Sequence, residues 1–323
     1  RKKAGADMLK SCVRKIMEYV VILFVVSILI FFLIHLFSPT DPVSVIIGGK
    51  GGTPEQIQAA REEYHLNEPV WRQYLYWIGG IFHGDWGTSY KYHTPVLQSI
   101  ADRAPVTLGL VLGASVLSIL VAIPLGVASA VKNGKPLDGA LSIISLIVAA
   151  VPPFLLSMLL ILALSKLAPA YPITGGYSGV EGYLIRMFWP CIALACSKVT
   201  ITLKITRQGM VEQMQMPYMM NVEAKGMPRK NMIWKHGLKN AVIPVISILS
   251  IQIGAMIVGA VLVESVFSLS GVGSLLIDSI KSSDFPVVQA IILMLVVVFL
   301  ITGALADFLY AVIDPRIRAG RKG

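Results

Sequence analysis

Apolar residues in this chain run continuously; they neither alternate nor recur every third or fourth place. Six runs stand out, at 20–37, 105–131, 139–165, 187–203 (with Lys198 inside), 241–263 and 285–306. Each is close to or above the roughly 20 residues a helix needs to cross a bilayer. A strand of a membrane barrel would alternate with period two, and these runs do not. A soluble core helix could account for one run but not for six, because no amphipathic helices or strand series remain to cover them. The pattern predicts an all-α integral membrane protein with six transmembrane helices. The first run follows a basic stretch, as the core of a signal peptide would. No small-residue cleavage site follows it, and Ser38, Pro39, Thr40, Asp41 and Pro42 read as an exit turn, so it is kept as a span.

The polar intervals carry their own signals. In the large segment between the first two runs, Thr53, Pro54 and Glu55 supply a cap, a first-position proline and an early acid. They predict a short helix to about Tyr64. Trp71, Tyr74, Trp77 and Ile78 recur at helical spacing and predict an amphipathic helix at the membrane interface. Gly84, Asp85, Trp86, Gly87, Thr88 and Ser89 follow as a turn. The intervals 166–186 and 264–284 are also turn-rich, the latter through Phe267 to Gly273. Between the fourth and fifth runs lies a polar, basic stretch. Pro217 suits a first helical turn and Gly226 a left-handed terminator, so a helix of about two turns is expected over 218–225. Pro228 opens a second helix through Lys239, and Pro244 marks entry into the fifth span. A two-turn helix is unstable alone in water, so an adjoining helix or a partner must hold it, and docking in a groove is the natural mode.

Of the 323 residues 55% are hydrophobic and 14% charged, against a usual charged share of about 25%. The net charge of +10 invites a nucleic-acid reading, but the positions of the bases argue against one. Arg1, Lys2, Lys3, Lys10, Arg14 and Lys15 precede the first span, and Lys132 and Lys135 follow the second. Lys204, Arg207, Lys225, Arg229, Lys230, Lys235 and Lys239 lie between the fourth and fifth, and Arg316, Arg318, Arg321 and Lys322 close the chain. Six spans place all of these on one side, whereas the segment after the first span carries more acids than bases. The positive-inside rule therefore puts both termini in the cytoplasm.

Isolated residues within the spans are the remaining candidates. Gly109 with Gly113, and Gly254, Ala255 and Gly259, suit close helix packing. Pro124, Pro152 and Pro153 break backbone hydrogen bonds, which suits either neighbour-satisfied bends or a lined cavity. Lys198 is an intramembrane charge, with snorkelling as the alternative to a pathway role. Glu264 ends the fifth span externally, where it could gate the path or meet a partner, and Asp307 suits pairing with a nearby base. His35 reads as packed or interfacial. His65, His83 and His93 match no compact metal spacing. Gly48 to Thr53 superficially suggests a phosphate loop, but a glycine follows Lys50 and the segment is external. Cys12, Cys191 and Cys196 imply no disulfide framework. No catalytic constellation is evident.

Thr206-Arg207, Tyr218, Ala224-Lys225-Gly226, and His236, Leu238, Asn240, Ile243, Pro244 and Val245 keep the order of a known pattern. So do the blocks 84–89, 103–108, 263–267, 284–289, 307–310 and 314–318. Together they resemble the oligopeptide/dipeptide/nickel family of binding-protein-dependent ABC importer permeases, in its B-type subunit. Pro217, Glu223 and Gly209 depart from the family's usual residues, and the general E-A-A-x-x-x-G signature is replaced at Met220, Asn221 and Val222. The resemblance implies a type I importer permease fold. It divides the chain into a cytoplasmic segment 1–19, a first helix 20–37, an external segment 38–104, a five-helix core 105–313 containing the coupling loop 204–240, and a cytoplasmic tail 314–323. It implies ATPase coupling through Tyr218, Asn221, Glu223, Ala224, Lys225, Gly226, His236 and Asn240, and a path or gate near Pro152, Pro153, Lys198 and Glu264. No cofactor is expected on this chain; ATP and Mg would sit on partner ATPase subunits. The implied partners are a second homologous permease subunit, two cytoplasmic ATPases, an extracytoplasmic solute-binding protein and membrane lipid, with no nucleic acid. The implied location is a bacterial or archaeal plasma or inner membrane. Peptides are the expected cargo, with nickel, metal chelates or glutathione-like compounds as alternatives. An ion-coupled secondary transporter is the reading from another class.

Overall fold

The computed structural model describes residues 2–37, 41–48, 51–174 and 179–313, with side-chain surroundings from 13 to 308. Ser38 to Thr40, Lys50 of the glycine-rich run and the block 314–318 lie outside the described residues, as does the side chain of Cys12.

Five of the six predicted runs become unbroken helices long and apolar enough to cross a membrane. They are α1 (Lys2–Phe37), α5 (Val96–Val131), α8 (Gly179–Met214), α11 (Leu238–Phe267) and α13 (Phe285–Ile313). Short helices α2 (Pro42–Ile46), α3 (Pro54–Glu63) and α4 (Val70–Phe82) occupy the first large interval. The expected cap on α3 is a full capping box: the Gln56 amide N–H donates to Thr53 Oγ1 at 3.3 Å, and Gln56 Oε1 accepts from the Thr53 N–H at 3.0 Å.

The third run differs from expectation. It forms two helices, α6 (Pro136–Ala150) and α7 (Pro153–Leu167), bent by 95°. The residue before a proline is pushed out of helical space, and Val151 is extended at φ −85°, ψ 118°. Neither Pro152 nor Pro153 has an N–H to carry the ladder across. Each half is about 22 Å long, short of a 30 Å hydrocarbon core. Both halves pack on α8, and the Thr200 hydroxyl of α8 donates to the Ser145 carbonyl of α6 at 2.7 Å.

The polar stretch after α8 forms α9 (Pro217–Ala224), α10 (Arg229–Asn231) and a π-helical segment (Met232–Gly237) that runs directly into α11. The expected break before the fifth span is absent, and Pro244 lies inside α11. Beyond α11 comes α12 (Val272–Lys281).

Contacts group the chain into two compact units. In the first, Arg1–Pro105 with Ser274–Leu300, α4 packs on α1. There the Tyr74 hydroxyl lies 2.9 Å from Ser27 Oγ, and the Phe31 and Tyr74 rings meet edge to face at 5.4 Å. The second unit, Val106–Gly273 with Ile301–Gly323, is a helix bundle closed by small residues. A Cβ at Gly113 would strike Cys191 Sγ, and one at Gly126 would strike Thr206 and the Leu203 carbonyl. These are the close approaches that small residues permit between membrane helices. At one end of this bundle Val127, Ala130, Met210, Ile233 and Ala241 form a buried cluster.

Candidate functional site

α9 is held where that cluster ends. Met216 caps it in extended conformation, Pro217 opens it, and Gly226 turns the chain away at φ +73°. A two-turn helix needs an outside anchor, and Tyr218 provides one. Its hydroxyl donates to Gln213 Oε1 of α8 at 2.9 Å and accepts from Asn240 Nδ2 of α11 at 3.1 Å. Tyr218 and Asn240, far apart in the sequence pattern, thus meet at one oxygen. Met219 is buried beneath the helix, whereas Asn221, Glu223, Ala224, Lys225 and Gly226 are all exposed. His236 is partly exposed in the π segment. Gly237 of that segment lies against Met210, where a Cβ would come within 3.1 Å of its Cε.

Sequence reasoning missed the groove beside α9. It encloses about 280 Å³ and is lined by Met214, Met219, Met220, Glu223, Met227, Arg229 and Met232. Met220 and Trp234 stand 68% and 45% exposed nearby. The signal was available: seven of the chain's thirteen methionines fall between 210 and 232. Unbranched thioethers make adaptable docking surfaces.

A second missed feature ties the ends of α5, α6 and α8 together. Asp138, buried in the first turn of α6, accepts from Ser129 Oγ at 2.5 Å and the Gly134 N–H at 3.0 Å. It also takes a two-pronged contact from Arg207, Nε at 2.6 Å and a terminal nitrogen at 2.7 Å. The remaining reach of that nitrogen goes to Asn133 Oδ1 at 2.8 Å. Planar paired contacts of this kind are the strong form of an ion pair. The sequence clue was a lone acid in a basic, glycine-containing turn.

Two further carboxylates organise turns. Asp284, fully buried before α13, accepts from Ser89 Oγ at 2.5 Å and from the Tyr90 N–H at 2.9 Å. It thereby fixes the turn predicted at 84–89. Burial, then the Asp284 charge, pushes the Tyr90 phenol up, so it stays protonated through the neutral range. Glu264 is also fully buried and accepts from the Gly273 N–H at 2.8 Å. A Cβ at Gly271 or Gly273 would collide with its carboxylate. Val272 N–H donates to Thr107 Oγ1 at 2.9 Å, fastening the same turn to α5.

Pro152 and Pro153 form the α6–α7 bend. Lys198 lies midway along α8 and is partly exposed, on a different element from Glu264 and from the prolines. The histidines of the segment between the first two spans have separate neighbours: His65 stacks on Tyr76 at 4.6 Å, and His83 Nδ1 lies 2.8 Å from the Gly79 carbonyl. Among the described residues no three His, Cys, Asp or Glu side chains gather as a metal site.

Five long apolar helices and one bent apolar pair define an integral membrane protein. The chain belongs to the family of binding-protein-dependent transport system inner membrane components, whose model matches residues 122–319. The N-terminal model of the same kind of component matches residues 8–111. It is therefore a multi-pass protein of the inner, or plasma, membrane. Among its relatives is the dipeptide transport system permease protein DppB of Escherichia coli K12, 33% identical over 91% of this chain and 94% of that protein. The oligopeptide permease protein AppB of Bacillus subtilis is also 33% identical, over 94% and 98%. The glutathione transport permease protein GsiC of Escherichia coli K12 is 32% identical, over 96% and 99%.

Proposed function

We propose that this chain is one of two permease subunits in an ATP-driven importer of peptides, with a related permease completing the path. An extracytoplasmic binding protein delivers the cargo, and two cytoplasmic ATPases supply the energy. ATP and Mg belong to those ATPases. Both termini and the loop bearing α9 face the cytoplasm, in keeping with the placement of basic residues. The relatives transport dipeptides, oligopeptides and glutathione, which share amide bonds and carboxylates, and this supports a peptide cargo.

The observation that carries the reading is α9 itself. Its inner side is tied to α8 and α11 through Tyr218, while Asn221 and residues 223–226 are exposed and flanked by a methionine-lined groove. A helix so held can transmit a push from an ATPase surface to two membrane helices at once, because the Tyr218 hydroxyl bonds to both. Asn221, Glu223, Lys225 and the groove methionines make the contact in this scheme, and His236 and Asn240 brace it. Replacing residues 223–226 by a flexible linker in the assembled complex tests it. Expected are normal assembly, loss of ATP-driven peptide uptake, and loss of the ATPase stimulation caused by loaded binding protein. Uptake that survives the replacement refutes the reading.

A further inference from the structure

α4 carries three faces rather than two. At about 100° per residue, Arg72, Gln73, Tyr76 and His83 fall together on one side. There Arg72 pairs with Glu68 at 2.9 Å, the Gln73 amide donates to the Glu68 carbonyl at 2.8 Å, and Tyr76 stacks on His65. Tyr74 and Trp77 occupy the second side and pack on α1. The Tyr74 hydroxyl lies 2.9 Å from Ser27 Oγ, and the Trp77 and Phe31 rings are 5.6 Å apart. The third side is a stripe at i, i+4, i+7 and i+11: Trp71, Leu75, Ile78 and Phe82. Trp71, Leu75 and Phe82 are 54%, 56% and 84% exposed, and Ile78 is partly so. The interface stripe expected from the sequence, Trp71, Tyr74, Trp77 and Ile78, is therefore split. Two of its residues are committed to α1, and Leu75 and Phe82 take their place.

The depth at which α4 meets α1 says what covers the open stripe. Arg14 and Glu18, an exposed pair 3.4 Å apart, bound the apolar part of α1 at one end. Phe37 lies nineteen residues beyond Glu18, the length of one crossing, and Asp41 is the next charge. Phe31 is six residues short of Phe37 and Ser27 ten, so they lie about 9 and 15 Å below it at about 1.5 Å per residue. Side chains lean toward the N-terminus of their own helix, here away from Phe37, so the contacts are no shallower than this. Ser27 Oγ donates to the Phe24 carbonyl at 2.8 Å and so accepts from the Tyr74 hydroxyl, which satisfies both groups as hydrocarbon requires. Over the same stretch α1 exposes Leu29, Leu33 and Leu36. An apolar flank exposed at this depth faces acyl chains, not water.

We propose that α4 is sunk in the bilayer, in the leaflet at the Phe37 end of α1. Its stripe of Trp71, Leu75, Ile78 and Phe82 lies among lipid acyl chains, and its Arg72 side is turned toward the headgroups. The helix fastens the chain ahead of the 84–89 turn to lipid, while Asp284 fastens the turn itself. The inference holds whatever the cargo and does not depend on the importer reading.

The test places p-benzoylphenylalanine, one position at a time, at Leu75, Phe82, Tyr76 and Phe24 of the full chain, assembled in its native membrane. Phe24, exposed on α1 deep in the span, is the positive control, and Tyr76, on the polar side of α4, is the negative one. Illumination at Leu75 or Phe82 should raise the mass of the α4 peptide by one phospholipid, in a yield close to that at Phe24 and far above that at Tyr76. Fragmentation should place the new bond on an acyl chain. Crosslinking of Leu75 and Phe82 to another polypeptide, seen as a single heavier band, overturns the proposal in favour of a protein partner on this face. Attachment to headgroups alone overturns it too, as does the absence of lipid adducts at both sites when Phe24 yields one.

Discussion

Asp284 and Asp138 are both buried carboxylates at the start of a helix, and each gathers several donors, yet the donors differ in kind. Asp284 binds one contiguous piece of chain, through the Ser89 hydroxyl and the N–H groups of Tyr90 and, at 3.4 Å, Lys91. Asp138 binds mainly a side chain from another helix, Arg207 of α8. Bonds from neighbouring backbone N–H groups to one carboxylate hold the shape of a turn as well as its position. A side-chain ion pair releases when a rotamer changes, so α8 can part from the α5–α6 turn without local unfolding. Glu264 sides with Asp284, since it holds the Gly273 N–H and its site excludes even a methyl group at Gly271. The α5–α6 turn is therefore tied to α8 mainly by a side-chain pair, and the turns before α12 and α13 by carboxylates that hold backbone N–H groups.

Four substitutions put that distinction at risk. The largest effect is expected from Gly273→Ala, whose Cβ would overlap the Val261 backbone and the Glu264 carboxylate. Overpacking of this severity costs about 3 kcal/mol, and detergent-solubilised protein should show a sharply lowered unfolding midpoint. Asp284→Ala strands the Ser89 hydroxyl and the Tyr90 N–H in a buried site, at about 2 kcal/mol. The midpoint should fall again, with ATP consumed per peptide unchanged in the surviving complex. Asp138→Asn and Arg207→Gln should shift the midpoint less but raise the ATP consumed per peptide imported. Their combination should do no more than the worse single change, because both remove one interaction. If these two lower stability and leave coupling intact, while Asp284→Ala does the reverse, the distinction is wrong. Thr53→Ala is the small control: losing its cap should cost about 1 kcal/mol, confined to α3 and seen as faster amide exchange there.

Much of the architecture was readable before any coordinates. Hydrophobic runs report burial in lipid, which depends on each segment alone, so five continuous spans followed directly. Pro217 and Gly226 bounded α9 because a missing N–H and a left-handed turn are local properties. The bend at Val151–Pro152 was legible as a break but not as a 95° turn, since its angle depends on how both halves seat on α8. Pro244 misled: it lies inside α11 with helical residues on both sides, because a proline removes one ladder bond without obliging a long apolar helix to end.

The pairings were decided only in three dimensions. Tyr218 with Asn240 and Gln213, Asp138 with Arg207, Asp284 with Ser89, and Thr202 with Gln252 each join residues from separate elements. A hydrogen bond has a length and a direction, and neither is encoded in composition or period. Residue type along the chain fixed what each segment could tolerate around it; packing of the helices chose which of the tolerated neighbours it received.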